Sequence, residues 1–504
     1  MKGKVIMVQG TASHSGKSVL VTALCRIFRQ DGLTVAPFKA QNMSLNSYVT
    51  PDGGEIGRAQ AVQAEAAGIE PLVDMNPILL KPEADSRSQV VVLGHPRMST
   101  TATEYYQLKA QLWLVVTGAL RRLRSRYEVV VIEGAGSPAE INLVDGDIVN
   151  MRLARHARSP VVLVGDIDRG GVFASLLGTL WLLKPGDRRL VRALVINKFR
   201  GDRALLQPGL DFLERQAGIP VAGVIPYFRD IHIAQEDSVA LEQMSSKPGN
   251  AQIDIAVIRM PHIANFDDFD PLDKETAVRV RYVDSARNLG HPDLIILPGS
   301  KTTAADLEWL KKSGLAGRIS ELYQQGAFIV GICGGYQMLG EYILDPDCVE
   351  SAAPLIQGLG LLPVTTNFLP TKETHQIKGS VLADHGLLAA ARDTGFEGYE
   401  IHMGRSENNQ SEAAFRVRER SGKSCDALDG CLDASGRVLG TYIHGLFHNQ
   451  GLRRGILKYI AASRQRPVVF NGDDRQRDVE YDRLAELVRN SLDMGLIYAV
   501  AGLG

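Results

Sequence analysis

The segment Gly10-Thr11-Ala12-Ser13-His14-Ser15-Gly16-Lys17-Ser18 decides the fold of the first half of the chain. It directly follows the apolar run Val5-Ile6-Met7-Val8 and opens a helical stretch from about Lys17 to Gln30. A strand that leads through a glycine-rich turn into a helix directs backbone N–H groups and the helix dipole at one point, which favours a bound phosphate. The segment therefore predicts a phosphate-binding loop, although five residues rather than the usual four separate Gly10 from Gly16.

The side chains of this loop and of two later strand ends predict the contacts of a nucleotide and its metal ion. Lys17 can reach the terminal phosphates, and the Ser18 hydroxyl can ligate Mg²⁺. Glu133 follows the strand Val129–Ile132, at the edge where parallel sheets bind ligands, and Asn197 ends another strand there and can read adenine. The predicted nucleotide contacts are Gly10, Thr11, Ser15, Gly16, Lys17, Ser18 and Asn197, and the predicted metal ligands are Ser18 and Glu133. Glu55, Asp166 and Asp168 remain open as the further metal ligand.

Short β-branched runs alternate with helical stretches along most of the chain, a pattern typical of parallel sheets covered by helices. The rhythm is lost in a polar stretch that contains Ser245-Ser246-Lys247-Pro248-Gly249-Asn250 and resumes at Ile253. We therefore predict an α/β protein with two doubly wound parallel-sheet domains, residues 1–231 and 253–450, joined by a linker at 232–252. Residues 451–504 are expected to form a mainly helical extension packed on the second domain.

Composition narrows the class of protein. The chain has 504 residues, of which 45% are hydrophobic and 22% charged, as in ordinary globular domains. The net charge of −1 gives no general attraction to nucleic acid or to an anionic membrane, so neither is expected as a partner. Five scattered cysteines argue against a disulfide framework, and no apolar run is long enough for a signal peptide or a membrane span. These features predict a cytoplasmic protein and leave its oligomeric state open.

A second candidate site is the segment Gly331-Ile332-Cys333-Gly334-Gly335-Tyr336-Gln337, which again joins a strand to a helix. A thiol on such a turn lies at a helix N-terminus, where the dipole favours the thiolate and backbone N–H groups can hold an oxyanion. Its base must come from elsewhere, and His444 follows the apolar strand Gly440–Ile443. We predict Cys333 as nucleophile and His444 as its general base.

The first half of the chain resembles the dethiobiotin-synthetase-like branch of P-loop proteins. The resemblance rests on the loop above, on Asn76–Pro82, on Val131–Gly136 and on Val195–Lys198. Members of this branch use ATP to activate a carboxylate. The related chromosome-partitioning ATPases carry an extra lysine early in the loop, where this chain has Ala12.

The second half resembles the class I glutamine amidotransferases, through the spacing Gly-x-Cys-x-Gly-x-Gln and the later histidine. The resemblance implies that Cys333 attacks the amide of L-glutamine and that His444 transfers a proton to the departing ammonia. It also implies oxyanion or glutamine contacts from Gly299, Ser300, Gly334 and Gln337. Many relatives place a glutamate two residues after the histidine, where this chain has Leu446. The third catalytic member is therefore absent or supplied otherwise, as in the cobalamin-type branch with its Cys–His pair.

Four longer segments are similar to the cobyric acid synthase family of cobyrinate-type amidotransferases: Pro37–Ser47, Gly165–Phe173, Asn197–Asp202 and Tyr399–Ser406. This resemblance covers almost the whole chain. It implies ATP- and glutamine-dependent amidation of the b, d, e and g carboxylates of adenosylcobyrinic a,c-diamide. The polar residues Lys39, Gln41 and Asn42 are candidates to bind that substrate or the transferred phosphate.

Three alternatives remain at this stage. Cobyrinic a,c-diamide synthase has the same two chemistries in the same order, and the segments Lys39–Ser47 and Asp166–Phe173 argue against it. Amidation of a cell-wall precursor is a second enzymatic alternative. A non-enzymatic partitioning or scaffold ATPase is the third, and it would need neither Cys333 nor His444.

Overall fold

Two six-stranded, largely parallel sheets organise the chain, one in each half. The computed structural model describes residues 2–83, 87–228, 230–231, 233, 251–408, 412–470 and 477–504. The prediction of an α/β protein with two parallel-sheet domains is confirmed.

The first sheet has the strand order β12-β11-β10-β1-β9-β2, and all its neighbouring strands run parallel. The strands of this half are β1 (Lys4–Gly10), β2 (Val35–Phe38), β3 (Gln41–Met43), β4 (Ser47–Val49), β5 (Glu55–Gly57), β6 (Ile78–Pro82), β7 (Arg87–Val92), β8 (His95–Thr101), β9 (Val129–Glu133), β10 (Val161–Asp166), β11 (Val191–Phe199) and β12 (Val221–Pro226). Its helices are α1 (Lys17–Gln30), α2 (Arg58–Ala67), α3 (Ala102–Arg126), α4 (Met151–Ala157), α5 (Val172–Leu182), α6 (Pro185–Arg188) and α7 (Arg203–Ala217).

Both faces of this first sheet are buried, which explains its continuous apolar strands. Along β1, Val5 and Met7 belong to one hydrophobic cluster, whereas Ile6 and Val8 belong to the cluster on the opposite face. The register places Val8 beside Glu133, so the end of β9 lies next to the loop that follows β1. The sheet thereby brings the phosphate loop and Glu133 together.

The second sheet has the order β15-β13-β16-β18-β26-β25, with β25 antiparallel at its edge. The strands of this half are β13 (Ile253–Ile258), β14 (Ile263–Ala264), β15 (Val278–Val283), β16 (Leu294–Leu297), β17 (Gly299–Ser300), β18 (Phe328–Ile332), β19 (Tyr342–Leu344), β20 (Leu355–Gln357), β21 (Val364–Val381), β22 (Gly395–Asn408), β23 (Phe415–Arg420), β24 (Lys423–Asp429), β25 (Cys431–Leu432) and β26 (Val438–Thr441). The helices that follow β13 are α8 (Asp270–Lys274), α9 (Ala286–Leu289), α10 (Thr303–Lys312), α11 (Leu315–Gln324), α12 (Gly334–Leu339), α13 (Gln450–Ser463), α14 (Arg477–Ser491) and α15 (Met494–Ala501).

A largely antiparallel sheet built on the long pair β21 and β22 adds to the second half, and the sequence did not predict it. The predicted linker at 232–252 lies outside the described residues except for 233, 251 and 252. The domain boundaries therefore stay predictions.

The C-terminal helices divide between the two halves. Leu452 and Ile460 of α13 belong to the core of the second half, whereas Leu484 of α14 and Ile497 of α15 belong to a core of the first half. The prediction that all of 451–504 packs on the second domain is therefore wrong for α14 and α15. An amphipathic pattern identifies the face that a helix buries but not the domain that covers this face.

No helix among the described residues is long and apolar enough to cross a membrane.

Candidate active sites

The phosphate loop lies between the carboxyl end of β1 and the first turn of α1. Gly16 has a φ of 94°, in the left-handed region, and a Cβ there would lie 1.9 Å from Asn197 Nδ2. Only glycine suits this position, because the loop packs directly on the end of β11. Asn197 Nδ2 donates to the carbonyl of Ser15 at 2.9 Å, so Asn197 holds the loop against the end of β11. A contact of Asn197 with adenine stays a prediction.

Polar groups converge inside the loop. Lys17 Nζ donates to the carbonyls of Ala12 at 2.9 Å and of Gly136 at 3.2 Å. Ser15 Oγ is buried and has no hydrogen-bond partner within the described part of the chain. This arrangement offers Lys17 Nζ and Ser15 Oγ to an anionic ligand. The Thr11 amide donates to the carbonyl of Val164 at 2.9 Å, and the nucleotide contacts of Gly10, Thr11 and their neighbours stay predictions.

The donor set around Glu133 fits a magnesium ion. Glu133 is 1% exposed, and its Oε1 accepts a hydrogen bond from Ser18 Oγ at 2.8 Å. Its Oε2 accepts from Gln63 Nε2 at 2.6 Å, and Lys39 Nζ lies 3.0 Å from Oε1. Hydroxyl and carboxylate oxygens are the ligands that Mg²⁺ prefers. Ser18 and Glu133 are therefore suitably placed to hold Mg²⁺, and the Lys39 ammonium group lies beside the same Glu133 carboxylate.

The three candidates for a further metal ligand are each paired with a cation. Asp166 lies 2.8 Å from Lys198 Nζ, and Asp168 lies 2.7 Å from Arg200 Nε. Both carboxylate oxygens of Glu55 are held by lysines, at 2.6 Å each. A metal contact of any of the three carboxylates stays a prediction.

The remaining candidates for substrate binding have partners within the protein. Gln41 Oε1 accepts from the Tyr105 hydroxyl at 2.6 Å. Asn42 is buried, donates to Gln60 Oε1 at 3.0 Å and accepts from the amide of Met43 at 2.9 Å. These bonds give Asn42 a structural role, and a contact of either residue with substrate stays a prediction.

The thiol lies at the turn between β18 and α12. Cys333 is 7% exposed and has a φ of 53°, which is strained for a residue with a side chain. Its amide donates to the carbonyl of Thr441 at 2.8 Å, so β26 fixes the turn. The Sγ atom lies 3.5 Å from the carbonyl of Ile401. The fold therefore holds this side chain in a defined position next to β22 and β26.

His444 lies beside the thiol and is held by a buried carboxylate. Its Nδ1 lies 2.7 Å from Asp268 Oδ2, and both side chains are 1% exposed. Asp268 Oδ1 also accepts from the amide of Gly445 at 2.8 Å, and the ring stacks on Tyr399 with centroids 5.1 Å apart. Since Nδ1 faces Asp268, Nε2 is the nitrogen left for the thiol. Asp268 thus supplies the orienting group that Leu446 cannot.

The electrostatics of the site favour a protonated ring. Burial alone lowers the pKa of His444, but the Asp268 carboxylate and the hydrogen bond with Cys333 raise it to about 10. A cationic imidazole next to a thiol stabilises the thiolate, which is the nucleophilic form.

The predicted oxyanion and glutamine residues surround Cys333. A Cβ on Gly334 would lie 3.0 Å from the amide nitrogen of Ser300, so these two backbone segments approach closely. Gln337 accepts from Thr303 Oγ1 at 2.9 Å and donates to the Tyr442 hydroxyl at 3.2 Å. Gly299 and Ser300 form the short strand β17, which pairs with β14.

A cavity at the boundary of the two halves gives access to the thiol. The second half contributes Gly299, Ser300, Cys333, Gln337 and His444, and the first half contributes Lys81 and Gln89. The charged side chains Lys301, Glu350 and Lys372 also line it. Both halves thus form the walls of the thiol site, which the sequence did not predict.

Asp268 is the functional residue that the sequence reasoning missed. It lies in the acidic segment Asn265-Phe266-Asp267-Asp268-Phe269-Asp270, soon after the first strand of the second half. Phenylalanines flank two adjacent carboxylates in this segment, and a carboxylate that is buried with them needs a partner. Asp268 and His444 are 176 residues apart in the chain, and this separation gives no sign of the pairing.

Comparison with known proteins identifies a domain family for each half of the chain. Residues 6–240 match the model of the CobQ/CobB/MinD/ParA nucleotide binding domain, and residues 254–452 match the CobB/CobQ-like glutamine amidotransferase domain. The chain is 54% identical over 501 residues to cobyric acid synthase of Dehalococcoides mccartyi (strain CBDB1), with 99% of both chains covered. It is 53% identical over 518 residues to that of Sorangium cellulosum (strain So ce56), which covers 100% of this chain and 99% of the relative. A third relative, cobyric acid synthase of Moorella thermoacetica, is 50% identical over 505 residues, with 99% of this chain and 98% of the relative covered. With two such domains and this identity along its whole length, the chain belongs to the cobyric acid synthase family.

Proposed function

We propose that the protein is a glutamine-dependent, ATP-consuming ligase that amidates the b, d, e and g carboxylates of adenosylcobyrinic a,c-diamide to give adenosylcobyric acid. The observation that carries this proposal is the full-length similarity to proteins named cobyric acid synthase. A phosphate loop and a buried thiol–imidazole pair in one chain support it chemically.

The glutaminase half begins with attack of the Cys333 thiolate on the side-chain amide of glutamine. Amides of Gly334 and Ser300 stabilise the oxyanion, and His444 passes its proton to the departing ammonia. Water then hydrolyses the glutamyl thioester. His444, neutral after this transfer, takes a proton from that water and is again cationic when the thiolate leaves. Asp268 keeps the imidazole oriented through the cycle.

The synthetase half activates the acceptor carboxylate. Lys17 and Lys39 place two ammonium groups where negative charge develops as the γ-phosphate moves to the carboxylate. Ser18 and Glu133 would hold Mg²⁺, which supplies further charge neutralisation. Ammonia then displaces phosphate from the acyl phosphate and forms the amide.

Mass spectrometry tests this proposal directly. Adenosylcobyrinic a,c-diamide is incubated with the protein, Mg-ATP and glutamine labelled with ¹⁵N in its side-chain amide. We expect four labelled amides with the native protein and none with Cys333→Ala. Free ammonia should restore amidation by that variant, and the exposed Cys348→Ala serves as control.

The outcomes separate the alternatives. In a parallel incubation with cobyrinic acid, amidation at two positions, without further reaction of the diamide, would identify cobyrinic a,c-diamide synthase. An unchanged corrinoid mass with intact glutaminase activity would contradict the corrinoid substrate and keep the amidotransferase. No glutamine hydrolysis at all would contradict the enzyme class.

A further inference from the structure

The groups that hold the His444 ring are themselves held by the first half of the chain. Asn265 Nδ2 lies 3.5 Å from His444 Nε2, and Asn265 Oδ1 accepts from the amide of Ser47 at 2.9 Å. The next amide, of Phe266, donates to Asn46 Oδ1 at 3.1 Å. The segment that carries the orienting carboxylate is therefore docked on β4 and the residues before it.

An ion pair between the two halves lies directly beside Asp268. Arg58 Nε lies 3.0 Å from Asp267 Oδ2, and the side chains are only 5% and 2% exposed. Arg58 is the first residue of α2, and its amide donates to the carbonyl of Asn46 at 3.1 Å. The guanidinium is thus fixed on the same segment that docks Asn265 and Phe266.

Asp267 and Asp268 are consecutive residues of one short 3₁₀ turn, Phe266–Phe269. A displacement of Asp267 therefore moves the Asp268 carboxylate relative to His444. Two adjacent buried carboxylates repel each other, and a buried carboxylate without a cation is costly. Arg58 gives Asp267 its cation and holds it in a fixed position.

We propose that Arg58, from the synthetase half, is a positioning residue of the glutaminase site, which fixes Asp267 and thereby the Asp268 carboxylate that orients His444. This inference rests on the proposed function, since it assigns a role within that same glutaminase site. Arg58 does not line the thiol cavity, and its ion pair with Asp267 is the contact through which it acts on Asp268.

The helix that carries Arg58 also reaches the phosphate loop. Gln63, five residues along α2, donates to Glu133 Oε2 at 2.6 Å. At about 1.5 Å of rise per residue, the two contacts are less than about two helical turns apart. One helix of the first half therefore supports both candidate sites.

The test compares Arg58→Met, Arg58→Lys and the double variant Arg58→Met/Asp267→Asn in the full-length protein. We expect kcat of glutaminase to fall in Arg58→Met by up to about a hundredfold, the effect of a misplacement near 1 Å. The KM for glutamine should change less than about twofold, since Arg58 does not line the cavity. Arg58→Lys keeps the charge and should recover part of kcat. Ammonia-dependent amidation should continue in all three variants.

The double variant separates positioning from stability. Removal of both buried charges should raise the melting temperature above that of Arg58→Met, while kcat stays low because nothing replaces the anchor. The control is Thr374→Val, which removes another hydrogen bond between the halves, from Thr374 Oγ1 to the carbonyl of Gly53 at 2.8 Å.

Three outcomes would overturn the role of Arg58. They are a native kcat in Arg58→Met, a recovery of kcat together with the melting temperature in the double variant, and an equal loss in Thr374→Val. Native protein that hydrolyses no glutamine would instead contradict the proposed function itself. The ratio of variant to native activity thus tests Arg58 separately from the enzyme class.

Discussion

His444 shows how a buried residue is kept charged. Burial removes water from the ring, which disfavours the cation. The Asp268 carboxylate and the Cys333 thiol, however, lie within hydrogen-bond distance of the ring. The balance favours the cation, so burial strengthens the interaction between the ring and Asp268 instead of neutralising it. Because Asp268 keeps the His444 ring charged, a glutamate two positions after the histidine, as in relatives that have one, is not needed for this purpose.

Replacement of Asp268 by asparagine should shift the alkaline limit of glutaminase activity to lower pH. In the native protein the pKa of His444 is raised to about 10, and Asp268 is the principal group that raises it. Without the carboxylate, burial dominates and the ring loses its proton at lower pH. The measurement is kcat/KM for glutamine hydrolysis between pH 6 and pH 10.5.

The exposed Asp347→Asn serves as control for this experiment. An alkaline limb that stays in place in Asp268→Asn would contradict the assigned interaction. A parallel fall at every pH, without movement of the limb, would show that Asp268 only orients the ring.

At the scale of elements, α14 is a helix of the last part of the chain that completes the first domain. It packs on α1, where Arg26 Nε donates to Asp482 Oδ1 at 2.7 Å and Arg26 Nη1 donates to Asp478 Oδ1 at 2.8 Å. The Arg26 side chain is 9% exposed, whereas both acids are half exposed or more. Loss of this arginine should therefore weaken the packing of α14 on α1 more than loss of either acid.

Arg26→Met should loosen α14 and leave α13 unchanged. The variant loses two charged hydrogen bonds, while the freed acids hydrate, so we expect a cost of about 1–2 kcal/mol. Hydrogen exchange should become faster in α14 and α15, because both pack on the first half, and stay native in α13. Equal acceleration in all three helices would contradict the division of the C-terminal region.

Sequence reasoning succeeded where the chemistry is local along the chain and failed where it depends on distant contacts. The phosphate loop and Cys333 each lie within one strand–turn–helix unit, so their residue types and order indicate their geometry. Asp268 and Arg58 act on residues in other elements, and no spacing predicts such pairs. The periodicity of α14 identifies the face that the helix buries, but it does not show which domain covers this face.

At the scale of the whole molecule, a buried ion cluster joins the two halves. Glu55 of β5 is fully buried and accepts from Lys81 of β6 and from Lys372 of β21, at 2.6 Å each. Lys81 and Lys372 also line the thiol cavity, so the cluster forms part of its wall. Closure of the glutaminase site and association of the halves therefore depend on the same carboxylate.

Glu55→Gln should destabilise the protein at neutral pH, and its deficit should shrink in acid. Loss of the carboxylate leaves the buried Lys81 and Lys372 side chains without their shared partner, at a cost of about 3–5 kcal/mol. Burial alone would raise the pKa of Glu55, but Lys372 and Lys81 hold it well below its usual range. Its contribution is therefore complete above the ordinary value of 4.5 and is lost as the pH falls below it, by about 1.4 kcal/mol per pH unit. The gap between the melting temperatures of native protein and variant, measured from pH 7.5 to pH 3.5, should thus narrow below the ordinary value of 4.5. Glu373→Gln, on the exposed side of the same long strand as Lys372, should follow the native protein throughout. A gap between native protein and Glu55→Gln that stays constant to pH 3.5 would show that the carboxylate does not join the halves by its charge.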